Sequence, residues 1–205
     1  MPDRSGAVAR FFADWRMLKG DRGELSTVLH GELIDAYEIG LQDQLKALDI
    51  DRSPELANKG IGRRLRGESN RYATSMHRTY NRELFNKLTE LDRTGQLTED
   101  NVRSWFDGWQ DRKAEQAGAQ TELSGDNQAA QDFAKRNGDK LTGEARIVPL
   151  SAAEPICAAL IARNPYKLEE MAAISPPVHV GCIHRFDVTY KLQDGIDPDS
   201  LWAGR

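Results

Sequence analysis

Long stretches with helical periodicity and very little proline constrain this chain most. Only Pro2 and Pro54 precede Pro149 in the sequence. Apolar residues recur every three or four positions between Glu24 and Asp49, and they do so again from 60 to 93. A repeat near 3.6 residues places such side chains on one face of a helix. The pattern therefore predicts that the first three-quarters of the chain is helical.

Two further helices are predicted before the pattern changes. Thr98 is followed by two acidic residues, which is typical of a helix start because acids are favoured at the positive end of the helix dipole. The segment Val102–Trp109 then carries a bulky aromatic face. A last helix is predicted over about Gln120–Arg136, and Asn137-Gly138 is a good signal for its C-terminal end.

The segments after residue 138 are short and include β-like patterns. Residues 144–150 predict a short strand, and Pro155–Arg163 predicts a short apolar helix or turn. His179–Tyr190 has β-branched and aromatic residues in rough alternation, which predicts one strand or a hairpin. We therefore expect a mainly α protein of elongated helices with a small β-containing C-terminal module, an α+β arrangement.

Three regions are expected along the chain. A helical N-terminal region covers 1–113, a C-terminal module covers 114–192, and an extended C-terminal arm covers 193–205. The arm is polar, and its tryptophan, Trp202, is a candidate anchor for a partner.

Composition narrows the class of function. A net charge of -4 over 205 residues argues against a general nucleic-acid binder. Two cysteines do not make a disulfide scaffold, which favours a reducing compartment. The N-terminus has no apolar run typical of a signal peptide, and no stretch approaches the roughly 20 apolar residues of a membrane span. We expect a soluble protein that acts inside a cell or in a particle assembled there.

Histidine and cysteine are concentrated near the C-terminus. His179, Cys182 and His184 lie within six positions of a chain that has four histidines and two cysteines. Together with Cys157 they offer two thiolates and two imidazoles, the ligand types and number of a structural zinc site. Zn²⁺ is therefore a candidate cofactor. The alternative is ordinary core packing, because cysteine is among the most buried residue types without any metal.

Four pieces of sequence in this part of the chain occur in a distinctive order. They are TELSGDNQAAQDF at 121–133, PICAAL at 155–160, RNPYKLEE at 163–170 and PPVHVGCIHRF at 176–186. Over about residues 115–190 the chain resembles the phage Mu F-like family of minor head, or head morphogenesis, proteins. That family carries a Thr-Glu helix, a Cys-x-x-Cys pair, a short segment with Tyr or Phe, and a final Pro-Pro-x-His-Pro-x-Cys-x-Cys stretch.

The chain departs from the family pattern at several positions. Leu160 stands in place of the second cysteine of the pair, Val180 in place of a proline, and His184 in place of the last cysteine. The family's tryptophan before the first cysteine has no counterpart. If the family uses these positions as zinc ligands, an imidazole replaces one thiolate, which is a conservative exchange for zinc. The ligand set that the resemblance implies is Cys157, His179, Cys182 and His184. The departures are equally compatible with a site that has become packed core.

The resemblance implies a structural role in the head of a tailed bacteriophage. Such proteins are minor components that associate with the portal or the capsid interior, and they act in head assembly and in DNA packaging or delivery. The implied partners are the portal protein, the major capsid or scaffolding protein and the packaged DNA, with neither a membrane nor a small-molecule substrate. The protein would lie in the virion, and in the host cytoplasm during assembly. We expect no enzymatic activity, because the sequence has neither a GxSxG nor an HExxH motif.

The segment 60–82 is locally basic, with six arginines against one acid, Glu68. The arginines are Arg63, Arg64, Arg66, Arg71, Arg78 and Arg82. Arginine pairs bidentately with phosphate and carboxylate, so packaged DNA and an acidic portal surface are candidate contacts. A solvated helix face, balanced by the acidic segments on either side, is the alternative. The same features allow a second class of function, a zinc-stabilised nucleic-acid-binding module with a regulatory role.

Overall fold

Three long α-helices make up most of the described part of the chain. The computed structural model describes residues 22–54, 59–149, 155–174 and 184–203. Helix α1 is Arg22–Lys46, α2 is Lys59–Arg93 and α3 is Glu99–Arg136. Helices α1 and α2 confirm the two helices predicted from the apolar periodicity. None of the helices in the described residues is both long and apolar enough to span a bilayer.

A small antiparallel sheet follows the helices in the chain. Strand β1 is Leu141–Pro149, β2 is Tyr166–Lys167 and β3 is His184–Leu192, in the order β2-β1-β3. A short helix, α4, covers Pro155–Ile161, and 3₁₀ turns lie at Leu168–Ala173 and Pro198–Ser200. The predicted fold class, mainly α with a small β-containing C-terminal module, is confirmed. The part of the predicted strand from 179 to 183 lies outside the described residues.

Strands β1 and β3 pair along the whole of both strands. The pairing places Leu141 opposite Leu192 at one end and Pro149 opposite His184 at the other. Side chains alternate between the two faces of a strand, and buried or half-buried residues of β3 accordingly alternate with exposed ones. Gly143 allows the close approach of the two strands, because a Cβ at this position would overlap the carbonyl oxygen of Thr189.

Helix α3 corrects the prediction of two separate helices. The pattern predicted one helix after Thr98 and another from about Gln120, whereas the structure has one helix of 38 residues. The polar stretch between them contains no proline, and its Ala114 and Ala117 are buried, so the helix continues through it. The predicted start is confirmed, because the Thr98 hydroxyl accepts a hydrogen bond from the Asn101 backbone N–H at 3.3 Å.

The chain divides into two compact units, and each long helix contributes to both. Of the described residues, 22–32 and 65–119 belong to the first unit, and those of 33–64 and of 120–203 belong to the second. Residues 33–54 and 59–64 therefore belong to the same unit as the C-terminal sheet.

Aromatic and aliphatic side chains from all three long helices form the core of the first unit. Trp109 stacks on Phe106, with ring centres 5.4 Å apart, and meets Tyr80 edge to face at 5.7 Å. The bulky aromatic face predicted for α3 is therefore part of this core. The buried members of the cluster are Leu25, Leu29, Tyr72, Ala73, Met76, Tyr80, Leu84, Phe106, Trp109, Ala114 and Ala117.

In the second unit, α1 and α3 approach each other at small residues. Ala36 and Gly40 on α1 meet Gly125 and Ala129 on α3, and each pair is spaced by four residues. A Cβ at Gly40 would lie 2.8 Å from the Cβ of Ala129, and one at Gly125 would overlap Ala36. Glycine is needed where two backbones come this close.

We expect Gly125→Ala to destabilise the protein, although alanine is the better helix former. The added methyl group must displace Ala36 or the α1 backbone, and overpacking of this kind costs about 1–3 kcal/mol. Gly31→Ala in α1 is the matched control, because nothing lies within 4 Å of the added Cβ, and it should be neutral or stabilise by up to about 1 kcal/mol. Urea unfolding followed by circular dichroism measures both. A Gly125→Ala variant as stable as the control would refute the close crossing.

Candidate functional site

Two of the four candidate zinc ligands lie in the described part of the chain. Cys157 is in α4 and is 2% exposed, and His184 is the first residue of β3 and is 4% exposed. His179 and Cys182 lie outside the described residues. The deep burial of Cys157 and His184 agrees both with metal ligands and with core packing.

The backbone at His184 is held by one side chain of α3. Asn127 is 1% exposed. Its Nδ2 donates to the His184 carbonyl oxygen at 2.8 Å, and its Oδ1 accepts from the Phe186 N–H at 2.8 Å. Alternate residues of a strand direct their backbone groups to the same side, so this amide pairs with the edge of β3 as a neighbouring strand would. Asn127 therefore sets the position of His184 against α3.

A second asparagine pairs with β1 in the same manner. Asn164 accepts from the Ile147 N–H at 2.8 Å and donates to the Ile147 carbonyl oxygen at 2.9 Å. Shortly after it, the buried Tyr166 donates from its hydroxyl to the Leu160 carbonyl oxygen at 2.5 Å. The segment that follows α4 is therefore tied to β1, which sets the position of Cys157 relative to the sheet.

These positions limit which residues could hold a metal ion. Within 22–54, 59–149, 155–174 and 184–203, no group of three or more His, Cys, Asp or Glu side chains is placed to bind one. A zinc site on Cys157 and His184 therefore needs ligands from outside these ranges, where His179 and Cys182 fall. The buried thiol and imidazole suit a structural zinc site, because such sites use protein ligands at all four positions.

A third asparagine holds the C-terminal segment. Asn137 follows α3, and its Nδ2 donates to the Trp202 carbonyl oxygen at 3.0 Å while its Oδ1 accepts from the Trp202 N–H at 2.7 Å. The guanidinium of Arg136 lies 4.6 Å from the centre of the Trp202 indole. Leu201 and Ala203 are buried. The segment expected to be an extended arm therefore packs within the second unit, and Trp202 anchors it there.

Arg64, one of the six candidate arginines, forms an ion pair within the second unit. Both of its terminal nitrogens donate to the carboxylate of Asp132, one of them at 2.8 Å, and the Tyr37 hydroxyl donates to the same carboxylate. Burial and the Asp132 charge raise the pKa of Tyr37. Burial alone would lower the pKa of Arg64, but the hydrogen bonds and charge of Asp132 outweigh it and raise the pKa. Arg64 therefore has a structural role.

The other five candidate arginines are exposed on α2. Arg71 forms an ion pair with Glu68 one turn earlier. Arg66 lies near His30, and burial of the imidazole together with the Arg66 charge lowers the pKa of His30. The structure therefore separates Arg64 from the remaining set, which is Arg63, Arg66, Arg71, Arg78 and Arg82.

The described residues of the four sequence pieces that carry the family resemblance lie in the second unit. The piece at 121–133 contains Asn127 and Asp132, and the piece at 163–170 contains Asn164. Comparison of the chain with protein-family models, with curated proteins and with solved structures finds no match. The proposal of family membership is therefore based on the four sequence pieces alone.

Sequence reasoning did not assign a role to Asp132 or Asn164. Asp132 is one of many polar residues on α3, and its partner Tyr37 lies 95 positions away, so no local pattern marks the pair. The Asn164-Pro165 dipeptide is a usable sequence signal for a loop. The pairing of Asn164 with Ile147 depends on how β1 and α4 lie in the fold.

We expect Asn127→Ala to destabilise the second unit by about 2–6 kcal/mol. The change leaves the His184 carbonyl and the Phe186 N–H buried without their partner, and each such group costs about 1–3 kcal/mol. Gln128→Ala, at the next position of α3, is the control. It should lower the free energy of unfolding by less than about 1 kcal/mol, because the Gln128 amide makes only a long hydrogen bond of 3.3 Å to the Ser124 hydroxyl.

Urea unfolding gives both free energies, and hydrogen exchange reports on the Phe186 amide directly. We expect faster exchange of this amide in Asn127→Ala than in Gln128→Ala. Equal losses of stability in the two variants, with unchanged exchange at Phe186, would show that Asn127 does not hold β3.

Proposed function

We propose that this chain is a minor head protein of a tailed bacteriophage, which associates with the portal or the capsid interior and acts in head assembly and in DNA packaging or delivery. The observation that carries the proposal is the order and spacing of the sequence pieces at 121–133, 155–160, 163–170 and 176–186. Four short pieces in one order are more specific than any one of them.

Contacts between the described parts of these pieces support treating them as a single module. Asn127 in the first piece bonds to His184 and Phe186 in the last. Tyr166 in the third piece bonds to Leu160 in the second. Asn127 is more than 50 positions from His184 and Phe186, so the first and last pieces depend on each other, as is expected when a motif describes one folded unit.

Within this proposal, Zn²⁺ would connect the place where the chain leaves the sheet after β1 with the place where it enters the sheet again at β3. Cys157 lies in α4, which comes soon after the end of β1, and His184 opens β3 opposite Pro149. A metal ion held by these residues together with His179 and Cys182 would close this end of the sheet. The stabilisation is useful because the ligands come from segments that a long stretch of chain separates.

Metal content and thermal stability test the zinc part of the proposal. We expect about one zinc ion per chain in the purified protein, and loss of that zinc with a lower Tm in Cys182→Ala. Elemental mass spectrometry and calorimetry measure the two quantities. His77→Gln, on α2, is the control and should leave the zinc content unchanged. A folded wild-type protein without zinc would assign Cys157, His179, Cys182 and His184 to core packing.

Association with the portal tests the head-protein role. We expect the full chain to co-elute with the portal oligomer of the same virus in size-exclusion chromatography. Arg63→Ala combined with Arg66→Ala should leave this association intact, while Arg64 is kept because its loss would unpair Asp132. The absence of portal binding, together with salt-dependent DNA binding that the double variant loses, would instead favour the zinc-stabilised nucleic-acid-binding module with a regulatory role.

A further inference from the structure

An exposed stripe on α2 combines arginines with an aromatic ring. It consists of Arg71, Arg78, Arg82 and Phe85, all in the first unit. Steps of seven, four and three residues keep these side chains on one face of the helix. At 1.5 Å of rise per residue the stripe is about 21 Å long. The opposite face of α2 contributes Tyr72, Ala73, Met76, Tyr80 and Leu84 to the core.

Much of the positive charge of this stripe is not neutralised by nearby carboxylates. Between 69 and 89 the sequence contains one acid, Glu83. That carboxylate is directed to α3, where it accepts from the Trp109 indole N–H at 3.1 Å and pairs with Lys113 at 2.7 Å. Among the residues that the structure describes, no carboxylate forms an ion pair with Arg78 or Arg82.

Among the aromatic residues that the structure describes in the first unit, Phe85 stands apart because it is 69% exposed, whereas Trp109 and Phe106 are buried. On the helix, Asn81 and Arg82 one turn earlier and Asn86 at the next position are exposed polar or basic residues, whereas Leu88 one turn later is half-buried against the core. An exposed ring between cationic and amide side chains is the arrangement used to stack nucleobases beside phosphate contacts.

We propose that this stripe binds single-stranded nucleic acid, with Arg78 and Arg82 pairing with backbone phosphates and Phe85 stacking on a base. Arginine guanidinium groups match phosphate geometry, and the spacing of Arg78 and Arg82 by one turn lets both contact one strand. A ring can stack on a base that is already unstacked from its neighbours, which favours single strands over duplexes. This inference is independent of the head-protein role, because it concerns a surface of the first unit alone.

Binding of a fluorescent oligothymidylate of about 20 nucleotides, followed by anisotropy at low salt, tests the proposal. We expect Arg78→Ala/Arg82→Ala to weaken binding at least tenfold and to reduce the slope of log K against log salt by about 1.4, the value for two lost phosphate contacts on a single strand. Arg103→Ala/Arg112→Ala is the matched control, because it removes two exposed arginines from α3 of the same unit. An equal loss in both double variants would overturn the proposal, as would no binding by the wild type.

Phe85→Leu separates stacking from charge. This variant keeps every arginine and should bind the single strand about tenfold more weakly than the wild type does. Its affinity for a duplex of the same length should equal that of the wild type, because stacking does not contribute to duplex binding. Wild-type affinity of Phe85→Leu for the single strand would refute base stacking. Polyglutamate and unlabelled oligonucleotide, at equal charge, are compared as competitors of the fluorescent oligonucleotide. Equally strong competition by polyglutamate would identify an acidic protein as the partner and would overturn the assignment to nucleic acid.

Discussion

The close crossing of α1 and α3 at small residues is the constraint on which the rest of the second unit depends. With Gly40 and Gly125 at the contact, the two backbones lie too close for a side chain between them. Residues beside the crossing are therefore forced together, and the Tyr37 hydroxyl meets the Asp132 carboxylate. A largely buried carboxylate is costly unless it is paired, and Arg64 supplies the charge and two more hydrogen bonds. One tight helix contact thus decides which arginine of α2 becomes structural.

Side-chain amides complete the small sheet. A sheet of three strands leaves backbone groups at its edges, and buried backbone groups need partners. Asn127 pairs with β3 from α3, and Asn164 pairs with β1 beside the very short β2. Asn137 does the same for the backbone of Trp202. Each amide uses both its donor and its acceptor on neighbouring backbone groups, so it fixes the orientation of the strand or segment as well as its distance.

Each of the two proposals concerns a different unit. The second unit contains the described residues of the sequence pieces that carry the head-protein resemblance, and the candidate ligands Cys157 and His184 are buried there. The first unit has a core of its own and presents the stripe with Phe85 to solvent. A protein that is acidic as a whole can still carry a local cationic surface, because Glu83, the acid nearest to Arg82 in the sequence, pairs with Lys113 on α3.

The sequence by itself determined α1 and α2, the change to β structure after residue 138 and the position of the short helix α4. These depend on local periodicity, caps and turn residues, which a chain carries in its own order. The same local reasoning divided α3 into two helices, because a polar surface stretch resembles a linker when its buried alanines are not known to be buried. It also treated six arginines as one group. Only the tertiary structure placed Arg64 against Asp132 and Tyr37, assigned residues 33–64 to the second unit and showed Phe85 exposed, because each of these outcomes depends on partners many turns away in the chain.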